Sequence, residues 1–442
     1  MRTAVHRPLL AVLVLALVGL AGCGKGGPST QSAGSGGVGT PSKLAPVAVQ
    51  GAVSVATRNT TRLGGEDVAD DAAAVARAVY PGLTAATRPT AIVLVDEHDW
   101  TAALAASVLA SAPTNAPILY SEGETLPTVS AQTLEAMHPL GAPLLGGAHV
   151  IRIGTAAALP AGYLARQVPV GAAAPTAATI ARLALALDGS HPPRQVIVLA
   201  EGASRPLAMP AAGLAAESGA PILFVGHGRV PAATAAALAS LHRPSIYVID
   251  AGAISHRALD ELRRLGPVKS IPTGASTGTG ASSPGAAPGA GATSSPPSAG
   301  APAAGAPAQG EAAVQNAIEV ARFTDGTFGW GVKEPGHGLV FANVGRPLDA
   351  PASALLSATG NYGPLLLLSS AGKVPSALVG YLSDIQPAYA GPQFPAVRGA
   401  YNHGWLIGDE GAITAVVQAE IDSMLEIVSR PAASEEAASQ GE

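Results

Sequence analysis

The sequence predicts an α/β fold of three repeated units, each a parallel sheet flanked by helices. Two observations carry this. The first is a short stretch written three times. Ala116-Pro117-Ile118-Leu119-Tyr120 is followed by Leu126-Pro127, Ala220-Pro221-Ile222-Leu223-Phe224 by Val230-Pro231, and Gly363-Pro364-Leu365-Leu366-Leu367 by Val374-Pro375. Each copy is a buried-strand pattern, a polar turn and a Pro placed to open a helix. A second marker, Val75-Ala76-Arg77, Ile180-Ala181-Arg182 and Val320-Ala321-Arg322, precedes these copies by 40, 39 and 42 residues. The other observation is alternation. Continuous apolar runs alternate with Ala-rich helical segments, the pattern of parallel strands covered by helices.

The elements follow in chain order. Arg2 and Arg7 precede an apolar run, Leu9 to Leu20, that is too short for a comfortable membrane span. It ends in Leu20-Ala21-Gly22-Cys23, which resembles a bacterial lipobox. Residues 1–22 therefore read as a lipoprotein signal peptide and Cys23 as the acylated first residue of the mature chain, attached to the outer face of the cell membrane. Cys23 is the only cysteine, so no intrachain disulfide forms. Residues 23–50, rich in Gly, Ser, Thr and Pro, read as a flexible tether.

Module one, residues 51–166, is expected to hold a helix over 71–80, stopped by Pro81-Gly82. Strands follow at 91–95, 118–120 and 150–153, with helices at 100–110 and 130–137 between them. Module two, residues 167–272, repeats the order. Its helices fall at 176–187, 207–217, 232–241 and 255–265, and its strands at 196–199, 222–225 and 246–249. Residues 273–310 hold almost only Gly, Ala, Ser, Thr, Pro and Gln, and read as a disordered linker. Module three, residues 311–429, places strands at 339–342, 365–368 and 405–407 and helices at 350–359, 374–382 and 412–428. It carries an extra stretch, 383–403, and residues 430–442 read as a frayed acidic tail.

At this level the residues resemble the cell wall-binding repeat 2 family. Arg62-Leu63-Gly64-Gly65-Glu66-Asp67 is similar to that family's Arg-x-x-Gly-x-Asp opening. Ile407-Gly408 with Gly411-Ala412-Ile413-Thr414, and Ala251-Gly252-Ala253-Ile254-Ser255, are similar to its closing strand and turn. The resemblance implies three Rossmann-like modules packed about a pseudo-threefold axis, and non-covalent attachment to anionic wall polymers. The family's Asp-Ala-Leu at the start of the helix after the first strand survives only as Asp349-Ala350, which makes Asp349 a candidate ligand residue.

Composition narrows the function. Charged residues are 12% of the chain, against about 25% in typical domains. Without Arg2 and Arg7 the chain has 23 basic and 30 acidic residues, a net charge near −7. No basic stripe exists to neutralise phosphates, which argues against nucleic acid as a partner. Bulk attraction cannot hold an anionic polymer either, so wall binding needs local cations. No nucleophile elbow, phosphate loop or zinc-protease motif occurs, and no cofactor signature. The chain reads as a binding protein rather than an enzyme.

Open parallel sheets bind ligands beyond the carboxyl ends of their strands. Arg205 and Arg346 stand in equivalent loops there, each followed by Pro-Leu, and are candidate phosphate or carboxylate ligands. In the first module the loop Asp96-Glu97-His98-Asp99 makes His98 and Asp99 candidates. Its residues suit either a divalent cation or a solvated helix start. Two functions fit: a lipid-anchored envelope protein that binds wall polymer, or a lipid-anchored solute- or signal-binding protein using a cleft between modules.

Overall fold

The continuous apolar runs form three strands in each of three sheets. The computed structural model describes residues 53–189, 193–273, 306–359, 363–389 and 401–429, all within the compact unit that starts at Val47. The expected signal peptide, Cys23, the tether, residues 274–305 of the expected linker, residues 390–400 and the acidic tail lie outside the described residues. Among the described residues no helix is long and apolar enough to cross a membrane.

The chain opens with β1 (Val53–Ala56), β2 (Thr60–Gly64) and α1 (Val68–Val79). The first unit continues with β3 (Ile92–Asp96), α2 (Trp100–Ala106, prolonged by a 3₁₀ turn over Ser107–Ala110), β4 (Ile118–Ser121), α3 (Thr128–Met137), β5 (Val150–Ile153) and β6 (Ala165–Val168). The second holds α4 (Ala173–Asp188), β7 (Gln195–Ala200), α5 (Arg205–Ala208), α6 (Pro210–Ser218), β8 (Ile222–Val225), α7 (Ala232–Ser240), β9 (Ser245–Ile249), α8 (His256–Leu265) and β10 (Val268–Ile271). The third holds α9 (Ala306–Arg322), β11 (Gly338–Asn343), α10 (Asp349–Ala358), β12 (Leu365–Leu368), α11 (Ser376–Asp384), β13 (Ala388–Tyr389), β14 (His403–Ile407), α12 (Ala415–Leu425) and β15 (Val428–Ser429).

The three sheets share one strand order. The first is β4-β3-β5-β6 and the second β8-β7-β9-β10, all parallel. The third is β12-β11-β14-β2, also parallel, with β1 antiparallel on the outer edge of β2. Its fourth strand therefore comes from the start of the described chain, where Leu63 pairs with Ile407. Residues 53–64 were expected in module one; they belong to the third sheet. The boundary at 166/167 likewise cuts through β6, and α9 starts at Ala306, inside the expected linker.

The reason lies in the composition of each fourth strand. Thr60-Thr61-Arg62, Ala165-Arg166-Gln167 and Lys269-Ser270 carry no apolar run, so nothing in their pattern marks a buried strand. The chain gives each such strand to one sheet and the helix that follows to the next. Helix α1 packs on β4, α4 on β8 and α9 on β12. The same helices reach across to a neighbouring unit, α1 to α10, α4 to α2 and α9 to α5 and α6. At the centre α2 with its 3₁₀ turn, α6 and α10 pack against one another. This cyclic exchange is the pseudo-threefold arrangement, and β2 closes the ring.

Small side chains permit the close approach. Ala102, Ala103, Ala211, Ala212 and Ala352 are buried in the central helices. Gly213 of α6 faces α10 so closely that a Cβ would lie 2.7 Å from Ser357 Oγ. The first unit departs from the other two in one respect. Between β5 and β6 it has a loop where the second has α8, and the third has α12 after β14.

Candidate functional site

The carboxyl ends of β3, β7 and β11 open into three equivalent loops. In each, the first loop N–H donates to the end of the neighbouring strand: Glu97 to Ser121, Glu201 to Val225 and Val344 to Leu368. What each loop then carries differs.

In the first loop the acids are consumed locally. Asp99 caps α2, accepting from Ala102 N at 3.0 Å and Thr101 Oγ1 at 2.9 Å. Asp96 Oδ1 accepts from His98 N at 3.1 Å and Gly123 N at 3.2 Å, and pairs with His98 Nδ1 at 2.9 Å. Burial pushes Asp96 up, yet these bonds outweigh it and hold the carboxylate below its usual range. The bond to Asp96 raises the imidazole of His98. The carboxylates do not converge on one point. Among the described residues no group of three His, Cys, Asp or Glu is placed to hold a metal ion.

In the second loop Arg205 is the first residue of α5 and is exposed. Its side chain makes no hydrogen bond or ion pair among the described residues. It faces a cavity of about 290 Å³ shared with the first loop, whose lining includes His98, Asp99 and Thr101 on one side, Arg205 on the other, and Trp100 and Phe224 as apolar surface. Three of the five candidate ligand residues thus meet in one cleft between the first and second units. A free guanidinium, a titratable imidazole, a hydroxyl and an aromatic wall suit an anionic, hydroxylated ligand.

The third loop corrects the equivalence drawn between Arg205 and Arg346. Arg346 is 19% exposed and set among three carboxylates. Its Nη2 bonds Asp71 Oδ2, its Nε lies 3.3 Å from Asp349 Oδ2, and its Nη1 lies 3.5 Å from Asp409 Oδ1. Its charge is spent inside the protein and leaves nothing free for an anion. Burial lowers the guanidinium, but Asp349, Asp71 and Asp409 together raise it above its ordinary value. Asp349, also a candidate ligand, is fully buried, and neither of its oxygens accepts a well-aligned hydrogen bond. Burial and the neighbouring Asp71 drive its carboxyl far above the carboxylate range. Burial likewise lifts Asp71 to about 6, against the pull of Arg346. Two buried acids beside one cation settle as one ion pair and one protonated acid.

This cluster joins α1 to the third unit, beside the strand that closes the ring. Asp71 Oδ1 also accepts from Gly65 N at 2.9 Å, and a Cβ on Gly64 would overlap both Asp71 and Gly408. Gly64 has φ +153°, a conformation suited to glycine. The family's opening residues belong to the same joint. Buried Arg62 donates from Nε to Gln418 Oε1 at 3.0 Å and from Nη1 to the carbonyls of Gly408 and Asp409, at 3.0 and 2.7 Å. Asp67 caps α1 through Ala69 N and Asp70 N, each at 2.9 Å. Arg62 entered the sequence reading only as part of that opening motif, and Asp71 and Asp409 escaped it as members of a joint. A signal existed: four residues before each Val/Ile-Ala-Arg marker stands a polar residue, Asp71, Thr176 or Asn316, all buried among the apolar residues of their helices' inner faces. Asn316 Nδ2 donates to Leu207 O at 2.6 Å across the equivalent joint.

Two further cavities lie at strand ends. One of about 330 Å³ opens in the first unit where the closing helix is missing, with Asp96 and Glu124 in its wall. Another, of about 360 Å³, is bordered by Asp409, Glu410 and the already engaged Arg62. Both favour cations over anions, so the cleft at Arg205 alone of these three offers an uncommitted positive charge.

Comparison with known proteins agrees with this architecture. Residues 62–161 match the family described as cell wall binding domain 2 (CWB2). Among solved structures the chain is similar to Cwp8 from Clostridium difficile, with a TM-score of 0.57 and 16% identity over 84% of this chain and 52% of that one. It is similar to Cwp6 from Clostridium difficile, with a TM-score of 0.58 and 16% identity over 85% of this chain and 51% of that one. The chain thus spans about half the length of these structures, and the likeness is one of fold. No curated protein matches the chain. The match to the cell wall binding domain 2 family thus covers residues 62–161, in the first of three α/β units that together share the fold of these two structures.

Proposed function

We propose that the chain is a cell-envelope binding protein that holds an anionic wall polymer non-covalently in the cleft between its first and second units, while a lipid on Cys23 ties it to the membrane. The observation that carries the polymer reading is the contrast between the two arginines. Arg346 is neutralised by Asp71, Asp349 and Asp409, whereas Arg205 faces an open cleft with no partner among the described residues. Phosphate or carboxylate groups along a polymer pair with Arg205, and His98, held by Asp96, adds positive charge as pH falls. A single exposed cation binds weakly, so the polymer's own repetition supplies the avidity. The lipobox-like Leu20-Ala21-Gly22-Cys23 supports the anchor.

The test is co-sedimentation with purified wall sacculi. Wild type is expected to sediment, and Arg205→Ala to sediment several-fold less while melting like wild type. Equal sedimentation of the two would remove the polymer from this cleft.

A further inference from the structure

The four leucines that the described residues expose all stand at one end of one sheet. Leu83, Leu140, Leu144 and Leu164 are 50–81% exposed. They belong to the three loops that enter β3, β5 and β6, at the amino end of the first sheet. Backbone bonds hold these loops together. Leu140 N donates to Pro89 O at 2.9 Å, Gly141 N to Thr90 O at 2.9 Å, and His149 N to Leu164 O at 2.8 Å. Arg88 Nε bonds His138 O in the same region. The loop before β5 runs over residues 138–149, where the equivalent loop of the second unit is only 241–244. The added residues, Pro-Leu-Gly-Ala-Pro-Leu-Leu-Gly-Gly from Pro139 to Gly147, carry Leu140 and Leu144 outward.

Charge is divided along the same axis. The carboxyl end of the first sheet holds Asp96, Glu97, Asp99, Glu122 and Glu124. The sequence has no acidic residue over 72–95 or 136–187, so Glu135 is the one acid that the first unit's own described segments place near the amino end. Arg88, Arg166, His138 and His149 stand there. In a chain of net charge −5 this is a local reversal.

We propose that this end of the first unit docks on an anionic lipid surface, with the four leucines entering the headgroup layer and Arg88 and Arg166 meeting its phosphates. The occupant follows from chemistry on the page. Protruding aliphatic side chains with a cationic rim and almost no acid match an anionic interface. The proposal rests on the lipid-anchor reading. That reading leaves 29 residues between Cys23 and Val53, a reach of about 30 Å for a flexible chain. Docking turns the opposite end of the sheet, where His98 and Asp99 line the cleft, away from the membrane and towards the wall.

The experiment uses the full lipidated chain in vesicles. On the lipid-anchor reading Cys23 carries the acyl chains, so Leu144→Cys takes an environment-sensitive dye alone. Val416→Cys, 74% exposed on α12, serves as the control. On phosphatidylglycerol vesicles the Leu144→Cys label is expected to shift blue and to be quenched by spin-labelled lipid, and the Val416→Cys label is not. Leu83→Asp with Leu140→Asp should reduce the quenched fraction about tenfold, as should high salt or neutral phosphatidylcholine. Flotation of wild type reports the anchor separately. Flotation without a dye shift overturns docking and keeps the anchor; failure to float overturns both. An equal shift on neutral vesicles overturns the role of the arginines. A concentration-dependent shift without vesicles shows a second copy on this surface and overturns the lipid.

Discussion

Replacing Arg346 by Ala is expected to open the ring at the joint between the first and third units, with a cost set by pH. In wild type the guanidinium faces Asp71 and Asp349, both without exposed surface. Removing one partner of a buried pair costs about 3–5 kcal/mol because the other charge stays buried. Protonation caps that cost. Asp349 already holds a proton, so Asp71 is the acid that must take one. Asp71 titrates at about 6 in the fold, so that proton takes about 1.4 kcal/mol at pH 7 and almost nothing at pH 5. The expected loss is therefore about 1–2 kcal/mol at pH 7, falling well below about 1 kcal/mol at pH 5. Urea melts at both pH values measure it, read by tryptophan fluorescence; Trp405 lies on β14, paired with Thr61 of the closing strand. Combining Arg346→Ala with Asp71→Asn should recover part of the loss at pH 7, since no ionised acid then remains at the pair. A loss below about 1 kcal/mol that is the same at both pH values would refute the claim that this ion pair secures the joint.

Three other outcomes follow. Asp71 titrates at about 6, higher in the fold than in the unfolded chain, so its contribution is full below about pH 4 and is lost as pH rises through about 6; relative to wild type, Asp71→Asn should gain about 2 kcal/mol between pH 4 and pH 7, read from paired melts. Gly213→Val should cost about 1–3 kcal/mol by forcing α6 and α10 apart, and an unchanged melting temperature would speak against the tight central trio. Cys23→Ala should release the chain from membranes, since no other thiol can carry the lipid; membrane fractionation decides.

How much of this was legible depended on burial. Strands such as Ile222–Val225 are wholly buried, even where, like β8, they end their sheet, so their sequence is an unbroken apolar run with bounds that the structure repeats. Edge strands β6 and β10 meet water, while buried β2 carries Thr60, Thr61 and Arg62 for the ring joint, so the apolar run that reveals a parallel strand is missing from all three. The Pro-Leu after Arg205 and Arg346 correctly placed both in corresponding loops. It did not show that Asp71, 275 residues away, would neutralise one of them. Ring closure is a long-range property. Its trace in sequence was a polar residue at one position of three related helices, readable only once those helices are superposed. The cleft that gathers His98, Asp99 and Arg205 is formed by two units and was invisible from either alone.

The central claim is that Arg205 is the working cation of a binding cleft, and salt-resolved wall binding tests it most directly. Sacculus affinity would be measured across a salt series for wild type, Arg205→Lys and Arg205→Glu. Wild type should weaken with salt, because solvent ions screen exposed pairs. Arg205→Lys should keep that salt dependence with modestly lower affinity, since charge remains but the bidentate fork is lost. Arg205→Glu should bind at least about tenfold more weakly at low salt and approach wild type at high salt. Three superimposable curves would contradict the account and place any wall contact elsewhere on the molecule.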